Sequence, residues 1–226
     1  MGGIYGTKSG CEMIVENLLE NYSCIFWDFD GVIKDSVEVK SLAYEQLFLE
    51  YGSDLIYKVR QHHQRNGGVS RFEKIPLYLH WAGVEHSDSI VDEFCQKFSE
   101  NVVASVVGSD WVPGVLEFLK RHHAEKRFFL VTATPTNEIK DILNQLELAG
   151  IFSDVFGAPI EKDVIVKDII HKENLDPSCC CFVGDSKSDY TAASVNNIDF
   201  ILRCTSLNVE LQAVHKGASF RELNNR

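Results

Sequence analysis

Two carboxylates stand two residues apart directly after a short apolar stretch, and their types and spacing could do chemistry. The stretch Cys24–Trp27 is apolar, aromatic and β-branched, which predicts a buried parallel strand. Because side chains alternate along a strand, Asp28 and Asp30 should leave its end on the same side. Two like charges this close repel unless a cation lies between them or one is protonated. The pattern predicts a magnesium-type oxygen site, with a plain Asp-rich turn as the alternative.

Similar polar residues recur further along the chain, each at the end of an expected strand or at the start of the helix after it. They are Thr132, Thr134, Lys162, Asp185 and Asp189. In open parallel sheets, ligands bind beyond the carboxyl ends of the strands. Asp185 and Asp189 are four residues apart and share a face if the helix has begun. Placed together, these groups would bind a divalent cation and a phosphoryl group.

The order of the expected elements indicates how these residues are positioned. Residues 35–106 look helical, although 101–107 is β-branched enough to be ambiguous, and strands alternate with helices afterwards. This order predicts an α/β fold with a Rossmann-like parallel sheet, helices on both faces and an all-helical insertion after the first strand. The expected domains are a core of residues 1–34 and 107–226 and an inserted helical domain of residues 35–106.

The periodicity also gives expected bounds. The expected strands are 24–27, 127–132, 152–156, 179–183 and 198–202. The expected helices outside the insertion are 11–21, 113–123, 136–149, 162–174 and 188–195. Within the insertion, residues 37–51 should form a helix with Ser36 as its cap and Gly52 as its stop. Trp27 should lie in the core, whereas the pairs at 62–63 and 122–123, all histidines, should lie on solvated faces.

Composition limits the classes of partner. A formal net charge of -11 disfavours nucleic acid and anionic membranes, which require basic surfaces. An anionic ligand would therefore be attracted by a few placed cations. The seven cysteines show no metal-finger spacing, so we expect reduced thiols in an intracellular, cytoplasmic protein. No stretch has the length of a membrane span.

The spaced motifs together resemble the haloacid dehalogenase superfamily of phosphotransferases. The likeness runs from Cys24 to about Leu202, and the helical insertion resembles the cap of the β-phosphoglucomutase and phosphoglycolate phosphatase branch. Four elements carry it in order: Asp28-x-Asp30-Gly31, Thr132 after an apolar strand, the helix-leading Lys162, and Gly184-Asp185-Ser186-x-x-Asp189.

The resemblance implies catalytic roles for four residues. Asp28 would attack phosphorus and form an aspartyl-phosphate, which splits one difficult displacement into two. Asp30 would protonate the leaving oxygen and then take a proton from water, which requires its pKa to rise towards neutrality. Thr132 would donate a hydrogen bond to the phosphoryl group, and Lys162 would neutralise its charge. Thr134 replaces Thr132 as the donor if the strand ends later.

The resemblance also implies the metal and substrate ligands. Mg²⁺ would be held by Asp28, the backbone carbonyl of Asp30 and Asp185, with Asp189 in support. The substrate would be bound by Thr132, Ala133, Lys162 and Arg71. Ala133 stands where many relatives have Asn.

A short loop in the insertion resembles the specificity loop of β-phosphoglucomutase, whose arginine grips a substrate phosphate. It reads Gly68-Val69-Ser70-Arg71. Arg71 would then face the substrate, with surface charge as the alternative. Arg71 and Lys74 are both expected in a polar, exposed loop, and the role of Lys74 stays open.

The sequence therefore predicts an Mg²⁺-dependent phosphatase for a small phosphorylated metabolite, with a sugar phosphate as one candidate. A phosphomutase shares every core residue and is the nearest alternative. A regulatory binding module without turnover is the third reading, and the intact set of acids argues against it. We expect a monomer or a weak dimer.

Overall fold

Six parallel strands form one sheet at the centre of the molecule. The computed structural model describes residues 12–223, with side chains from residue 15 onward. The strand order is β3-β2-β1-β4-β5-β6, so β1 lies between β2 and β4. The strands are β1 Cys24–Trp27, β2 Arg127–Pro135, β3 Asp154–Ala158, β4 Cys180–Gly184, β5 Asp199–Arg203 and β6 Ser219–Phe220.

Ten α-helices surround and extend the sheet in the described part of the chain. They are α1 Glu12–Glu20, α2 Val37–Leu47, α3 Ser53–Arg65, α4 Arg71–Trp81, α5 Asp88–Gly108, α6 Val115–His122, α7 Thr136–Gln145, α8 Lys162–Lys172, α9 Lys187–Val195 and α10 Val209–Val214. The helices α2 to α5 follow β1 with no strand among them, and strands and helices alternate afterwards. The predicted α/β fold with a parallel sheet is confirmed.

The position of β1 in the middle of the sheet explains its continuous apolar sequence. All four residues of β1 are fully buried, because both faces of the sheet are covered. Ile25 and Trp27 belong to one core cluster and Cys24 and Phe26 to a second, as alternation along a strand requires. The indole of Trp27 lies 5.9 Å from the ring of Phe118, so the prediction that Trp27 is a core residue is confirmed.

The helical insertion has its own aromatic core and also contacts the sheet-bearing part of the chain. Within it, the ring of Tyr44 lies 4.1 Å from that of Phe98 and 5.5 Å from that of Tyr78. The last helix of the insertion, α5, packs against α7, which follows β2. The division of the chain into domains at residues 35 and 106 stays a prediction.

Several predicted bounds need correction. Strand β2 continues to Pro135 rather than ending at 132, because it still pairs with β3 at that residue. The helix predicted at 136–149 ends at Gln145, and the ambiguous segment 101–107 is the last part of α5. The helix predicted at 37–51 ends at Leu47, and a short 3-10 helix, Leu49–Tyr51, follows it. The start predicted at residue 11 lies outside the described residues.

The predicted exposure of several basic residues was wrong. Arg71 and Lys74 lie on the first turn of α4 and are only 4% and 1% exposed. His63 and His122 are also buried. In each case a neighbouring helix covers a polar side chain that looks solvated when its own segment is considered alone.

No described helix is long and apolar enough to cross a membrane. The cysteines in the described residues are free thiols, as predicted: Cys24, Cys95, Cys179, Cys180, Cys181 and Cys204.

Candidate active site

The carboxyl ends of β1, β2 and β4 meet at one edge of the sheet, because these strands are adjacent and parallel. Asp28 follows β1 directly, and its backbone N–H donates to the carbonyl of Val183 in β4 at 3.0 Å. Lys162 is the first residue of α8, as predicted, and Asp189 lies in the first turn of α9. Residues far apart in sequence therefore converge at this edge.

Lys162 joins two of the acidic groups. Its Nζ lies 2.6 Å from Oδ1 of Asp189 and 2.9 Å from Oδ1 of Asp28, and all three side chains are buried. Burial alone would lower the pKa of Lys162, but the two carboxylates outweigh it and raise that pKa. Lys162 is therefore a fixed positive charge beside Asp28.

The carboxylate of Asp28 is held by its ion pair but keeps unused bonding capacity. Among the described residues, Oδ1 of Asp28 has no partner in hydrogen-bonding geometry. Burial and the charge of Asp189 raise the pKa of Asp28 above its ordinary value, and Lys162 opposes them. Its contact with Lys162 is an ion pair without hydrogen-bond geometry, so the carboxylate of Asp28 can still bind a ligand.

Asp189 is fixed by the start of its own helix. Its Oδ2 accepts hydrogen bonds from the N–H of Asp185 at 3.2 Å, the N–H of Ser186 at 3.0 Å and the hydroxyl of Ser186 at 2.7 Å. Ser186 and Asp189 form a capping box at α9. Because its Oδ1 also contacts Nζ of Lys162, the carboxylate of Asp189 is suited to orienting Lys162, Asp185 and Ser186.

Three acids could together hold a cation. Asp28, Asp185 and Asp189 each present an oxygen, and these oxygens lie within 4.8 Å of one another. Burial, together with the charges of Asp28 and Asp189, raises the pKa of Asp185 well above its ordinary value. Three buried or half-buried carboxylates with hard oxygen donors, Asp28 among them with unused bonding capacity, fit a divalent cation such as Mg²⁺.

The side chain of Asp30 turns away from this group. Its carboxylate accepts from Lys40 Nζ at 2.5 Å, the Ser36 hydroxyl at 2.6 Å and the Thr134 hydroxyl at 3.1 Å. Burial would raise the pKa of Asp30, but these three donors outweigh it and hold that pKa below its ordinary value. Ser36 thus bonds to Asp30, and its side chain makes no cap bond to α2.

The two threonines of β2 occupy different places. Thr134 contacts both Asp30 and Lys40, whose Nζ donates to its hydroxyl at 2.8 Å. Thr132 is buried, and its hydroxyl accepts from the N–H of Thr134 at 3.3 Å. Ala133 and Thr134 line a small cavity beside Asp30. Because β2 ends later than predicted, both hydroxyls are close to the strand end.

Sequence comparison identifies the family of this chain. The profile of the haloacid dehalogenase-like hydrolases matches residues 25–203. That match covers most of the chain and includes every acid described above. The chain belongs to this family.

Individual relatives agree with the assignment of this haloacid dehalogenase-like hydrolase. The chain is 25% identical over 197 residues to phosphoglycolate phosphatase 1 from Pseudomonas aeruginosa, covering 81% of this chain and 68% of that protein. A β-phosphoglucomutase from Clostridium difficile shares the fold at a TM-score of 0.71 and 18% identity, covering 90% of this chain and 92% of that one.

A variant of CbbY from Rhodobacter sphaeroides, solved with xylulose-1,5-bisphosphate, has the same fold at a TM-score of 0.72 and 14% identity. The structural match covers 89% of this chain and 95% of the CbbY chain. On the family match and the sequence relatives, the enzyme is a phosphatase of the haloacid dehalogenase-like family, and the solved structures show that it shares their fold.

In this hydrolase the loop at residues 68–71, the predicted specificity loop, contacts the start of α9 beside the acidic group. The carbonyl of Gly68 accepts a hydrogen bond from the hydroxyl of Ser188 at 3.2 Å. A Cβ at Gly68 would lie 2.1 Å from that hydroxyl oxygen and 2.3 Å from the one of Ser186. A side chain at this position would therefore displace both serine hydroxyls where the insertion meets the start of α9.

Arg71 is bound to the protein itself. Its Nη1 donates to Oε2 of Glu138 at 2.8 Å and to the hydroxyl of Ser99 at 2.6 Å, and its Nη2 also donates to Glu138. The pair joins α4 of the insertion to α7. The guanidinium also borders the cavity beside Asp30, so the predicted substrate contact stays a prediction.

Lys40, Ser36 and Glu138 escaped the sequence analysis as site residues. Ser36 and Lys40 are four residues apart on one helical face, and this face begins just after the Asp-rich loop. That spacing could have identified Ser36 and Lys40 as site residues from the sequence. No local pattern could have identified Glu138, because only the packing of α5 on α7 brings it to Arg71.

Proposed function

We propose that this enzyme is an Mg²⁺-dependent phosphatase that transfers the phosphoryl group of a small phosphorylated metabolite to Asp28 and then to water. The observation that carries the proposal is the buried carboxylate of Asp28 at the strand end. Its Oδ1 faces the ammonium of Lys162 at 2.9 Å outside hydrogen-bond geometry, and two further acids flank it. A carboxylate placed in this way can act as a nucleophile and form a covalent intermediate.

Three residues have separate roles in the first step: Asp28, Lys162 and Thr132. The carboxylate of Asp28 attacks phosphorus, and the bond from phosphorus to the leaving oxygen breaks. The ammonium of Lys162 neutralises charge on the phosphoryl group, and the hydroxyl of Thr132 donates a hydrogen bond to that group. Although β2 ends later than predicted, the hydroxyl of Thr134 already donates to Asp30, so Thr132 remains the proposed donor. Lys162 and Thr132 are both buried and fixed by protein contacts, so little reorganisation accompanies the reaction.

Asp30 serves as acid and then as base. It gives a proton to the leaving oxygen and later takes one from the water that attacks the aspartyl-phosphate. In the structure Lys40 holds Asp30 in its charged form, so substrate binding must weaken that contact and Asp30 must take up a proton from water before it can act as an acid. Lys40 is thereby a positioning residue for Asp30.

The proposed Mg²⁺ ligands are Asp28, the backbone carbonyl of Asp30 and Asp185, with Asp189 orienting them. When bound, the ion screens the carboxylates from the anionic substrate and polarises the phosphoryl oxygens.

We also propose that residues 35–106 act as a mobile cap over a core of residues 1–34 and 107–226. The cavity beside Asp30 has a volume of only about 20 Å³, roughly the room that one water needs. A substrate therefore enters when the insertion moves away, and its return excludes water. The oligomeric state, a monomer or a weak dimer, stays a prediction that size-exclusion chromatography can test. The cytoplasmic location also stays a prediction.

The test is release of inorganic phosphate from a panel of phosphorylated compounds, with Mg²⁺ and with EDTA. The panel holds 2-phosphoglycolate, several sugar phosphates and p-nitrophenyl phosphate. The proposal expects release that EDTA abolishes and Mg²⁺ restores. If a sugar phosphate is isomerised and no free phosphate appears, the enzyme is a mutase. If EDTA does not change the release of phosphate, the reaction does not require a metal ion.

A further inference from the structure

A second group of metal-ligating side chains lies at the opposite edge of the sheet from the active site. Because α1 leads into β1 and α6 leads into β2, both helices end near the amino ends of these parallel strands. Glu16 and Glu20 of α1 and His122 of α6 each present one ligand atom there, and these atoms lie within 4.8 Å of one another. Among the described residues, the only other such group is that of the active-site acids.

The ring of His122 is buried, and one of its nitrogens has no partner. The residue is 8% exposed, and Nε2 makes no hydrogen bond to any described residue. The ring packs on that of Phe118, with 4.5 Å between their centroids, and Nε2 lies 3.9 Å from Oε1 of Glu20. This distance is too long for a hydrogen bond. Since an unsatisfied buried nitrogen is costly, a positive charge between Nε2 and the carboxylate would stabilise this arrangement.

The two glutamates also stand where a cation would stabilise them. They are four residues apart on one face of α1, a spacing at which like charges repel. Glu20 is the last residue of α1, and His122 is the last residue of α6; the end of a helix dipole disfavours an acid there and favours a cation.

The protein neutralises only part of this negative charge. Arg121 donates to Oε1 of Glu16 at 2.8 Å, so the second oxygen of that carboxylate can still bind a cation. Lys126 donates to the backbone carbonyl of Glu20 rather than to its carboxylate. The carboxylate of Glu20 therefore has only the distant Nε2 of His122 beside it among the described residues.

We propose that Glu16, Glu20 and His122 form a binding site for a divalent cation of the Zn²⁺ type, which joins α1 to α6. One imidazole nitrogen and two carboxylate oxygens are ligands that Zn²⁺ accepts, whereas Mg²⁺ prefers oxygen donors alone. The side chain of Glu20 is 49% exposed, so water can complete a tetrahedral arrangement. The site is independent of the proposed function, because it lies at the other edge of the sheet.

Titration of matched variants with Zn²⁺ tests the site. Because Zn²⁺ also suits the active-site acids, all chains carry Asp185→Asn, and binding is measured by isothermal titration calorimetry. We expect one equivalent to bind, and Glu20→Gln to weaken it at least about tenfold, since even the outer-shell partners of a metal ligand are worth that much. His123→Gln, which changes the exposed neighbour of His122, is the matched control and should bind Zn²⁺ with unchanged affinity.

The ring signals of His122 report on the proposed ligand directly. On addition of Zn²⁺, the Nε2 resonance of His122 should shift and that of His123 should not, and Glu20→Gln should reduce the shift at a given Zn²⁺ concentration. His122→Gln should also lose the binding. If that variant does not fold, Glu20→Gln decides the matter, because its side chain is half exposed.

A proton on Nε2 of His122, paired with Glu20, is the competing explanation of the geometry, and it predicts no response of this resonance to Zn²⁺. An unshifted His122 resonance would therefore overturn the inference. Unchanged affinity in Glu20→Gln, or several weak equivalents that neither Glu20→Gln nor His122→Gln removes, would overturn it as well.

Discussion

Lys74 is a residue whose burial opposes folding. Desolvation, followed by the charge of Lys40, lowers the pKa of Lys74 to about 7. The other groups that face it are Asp30, Glu73, Lys162 and His63, of which the two carboxylates raise its pKa. A structural lysine should stabilise the fold, whereas a lysine kept for a ligand is retained despite its cost.

The sign of the pH dependence follows from this lowered pKa. The folded protein binds fewer protons than the unfolded chain between about pH 7 and the ordinary lysine pKa of about 10.4. Stability therefore rises with pH in this window. We expect Lys74→Met to increase the free energy of unfolding most at pH 7, with a gain that shrinks towards pH 10. Urea denaturation measures it, with Lys97→Met as control; a loss of stability at pH 7 would make Lys74 structural.

At the scale of elements, the contact between the helical insertion and the start of α9 depends on one glycine. Gly67 and Gly68 are adjacent, yet a Cβ at Gly67 meets nothing within 4 Å. At Gly68 it meets two hydroxyl oxygens and, at 3.1 Å, Cβ of Ser186. Ser186 is the N-cap that holds Asp189, so a displacement of Ser186 would also shift Asp189, which we propose orients the metal ligands.

The two glycines make a matched pair of variants. Gly68→Ala should lower kcat/KM about tenfold or more, because small misplacements of reacting groups are costly. Gly67→Ala should stay close to the wild type. The measurement is steady-state phosphate release, with circular dichroism to show that both variants fold. Equal effects at the two positions would mean that this close approach has no part in turnover.

The ion pair between α4 and α7 should matter for stability. Glu138→Gln leaves the buried guanidinium of Arg71 without its counter-charge, and we expect a loss of about 3–5 kcal/mol of unfolding free energy. Glu93→Gln breaks the exposed pair with Lys97 and should leave the free energy of unfolding almost unchanged, because solvent screens such pairs. Chemical denaturation compares the two. Similar small losses would show that Arg71 does not depend on Glu138.

The features that the sequence predicted depend on local patterns along the chain, whereas those that it missed depend on contacts between distant segments. Asp28 and Lys162 were predictable because an apolar run or a helix start marks each position locally. The burial of Lys74 was not, since the segment around it is polar and its cover comes from distant helices. The end of β2 was also missed, because Thr134 and Pro135 extend the strand only through pairing with β3.

At the scale of the molecule, a chain with a formal charge of -11 concentrates cations in one cleft. Four basic side chains lie at or near the end of β1 and the cavity beside it: Lys40, Arg71, Lys74 and Lys162. A low-dielectric cleft lined by one sign of charge attracts an anionic substrate despite the opposite net charge. The fold supplies this arrangement by setting the insertion above the parallel strand ends.

The most direct test of the central claim compares Asp28→Asn with Asp168→Asn, which changes an exposed aspartate of α8. Phosphate release in Mg²⁺ is measured for both against the wild-type enzyme on the best compound of the panel. The account predicts that Asp28→Asn abolishes release and stays folded, while Asp168→Asn keeps wild-type activity. Undiminished release from Asp28→Asn would contradict the assignment of Asp28 as the nucleophile.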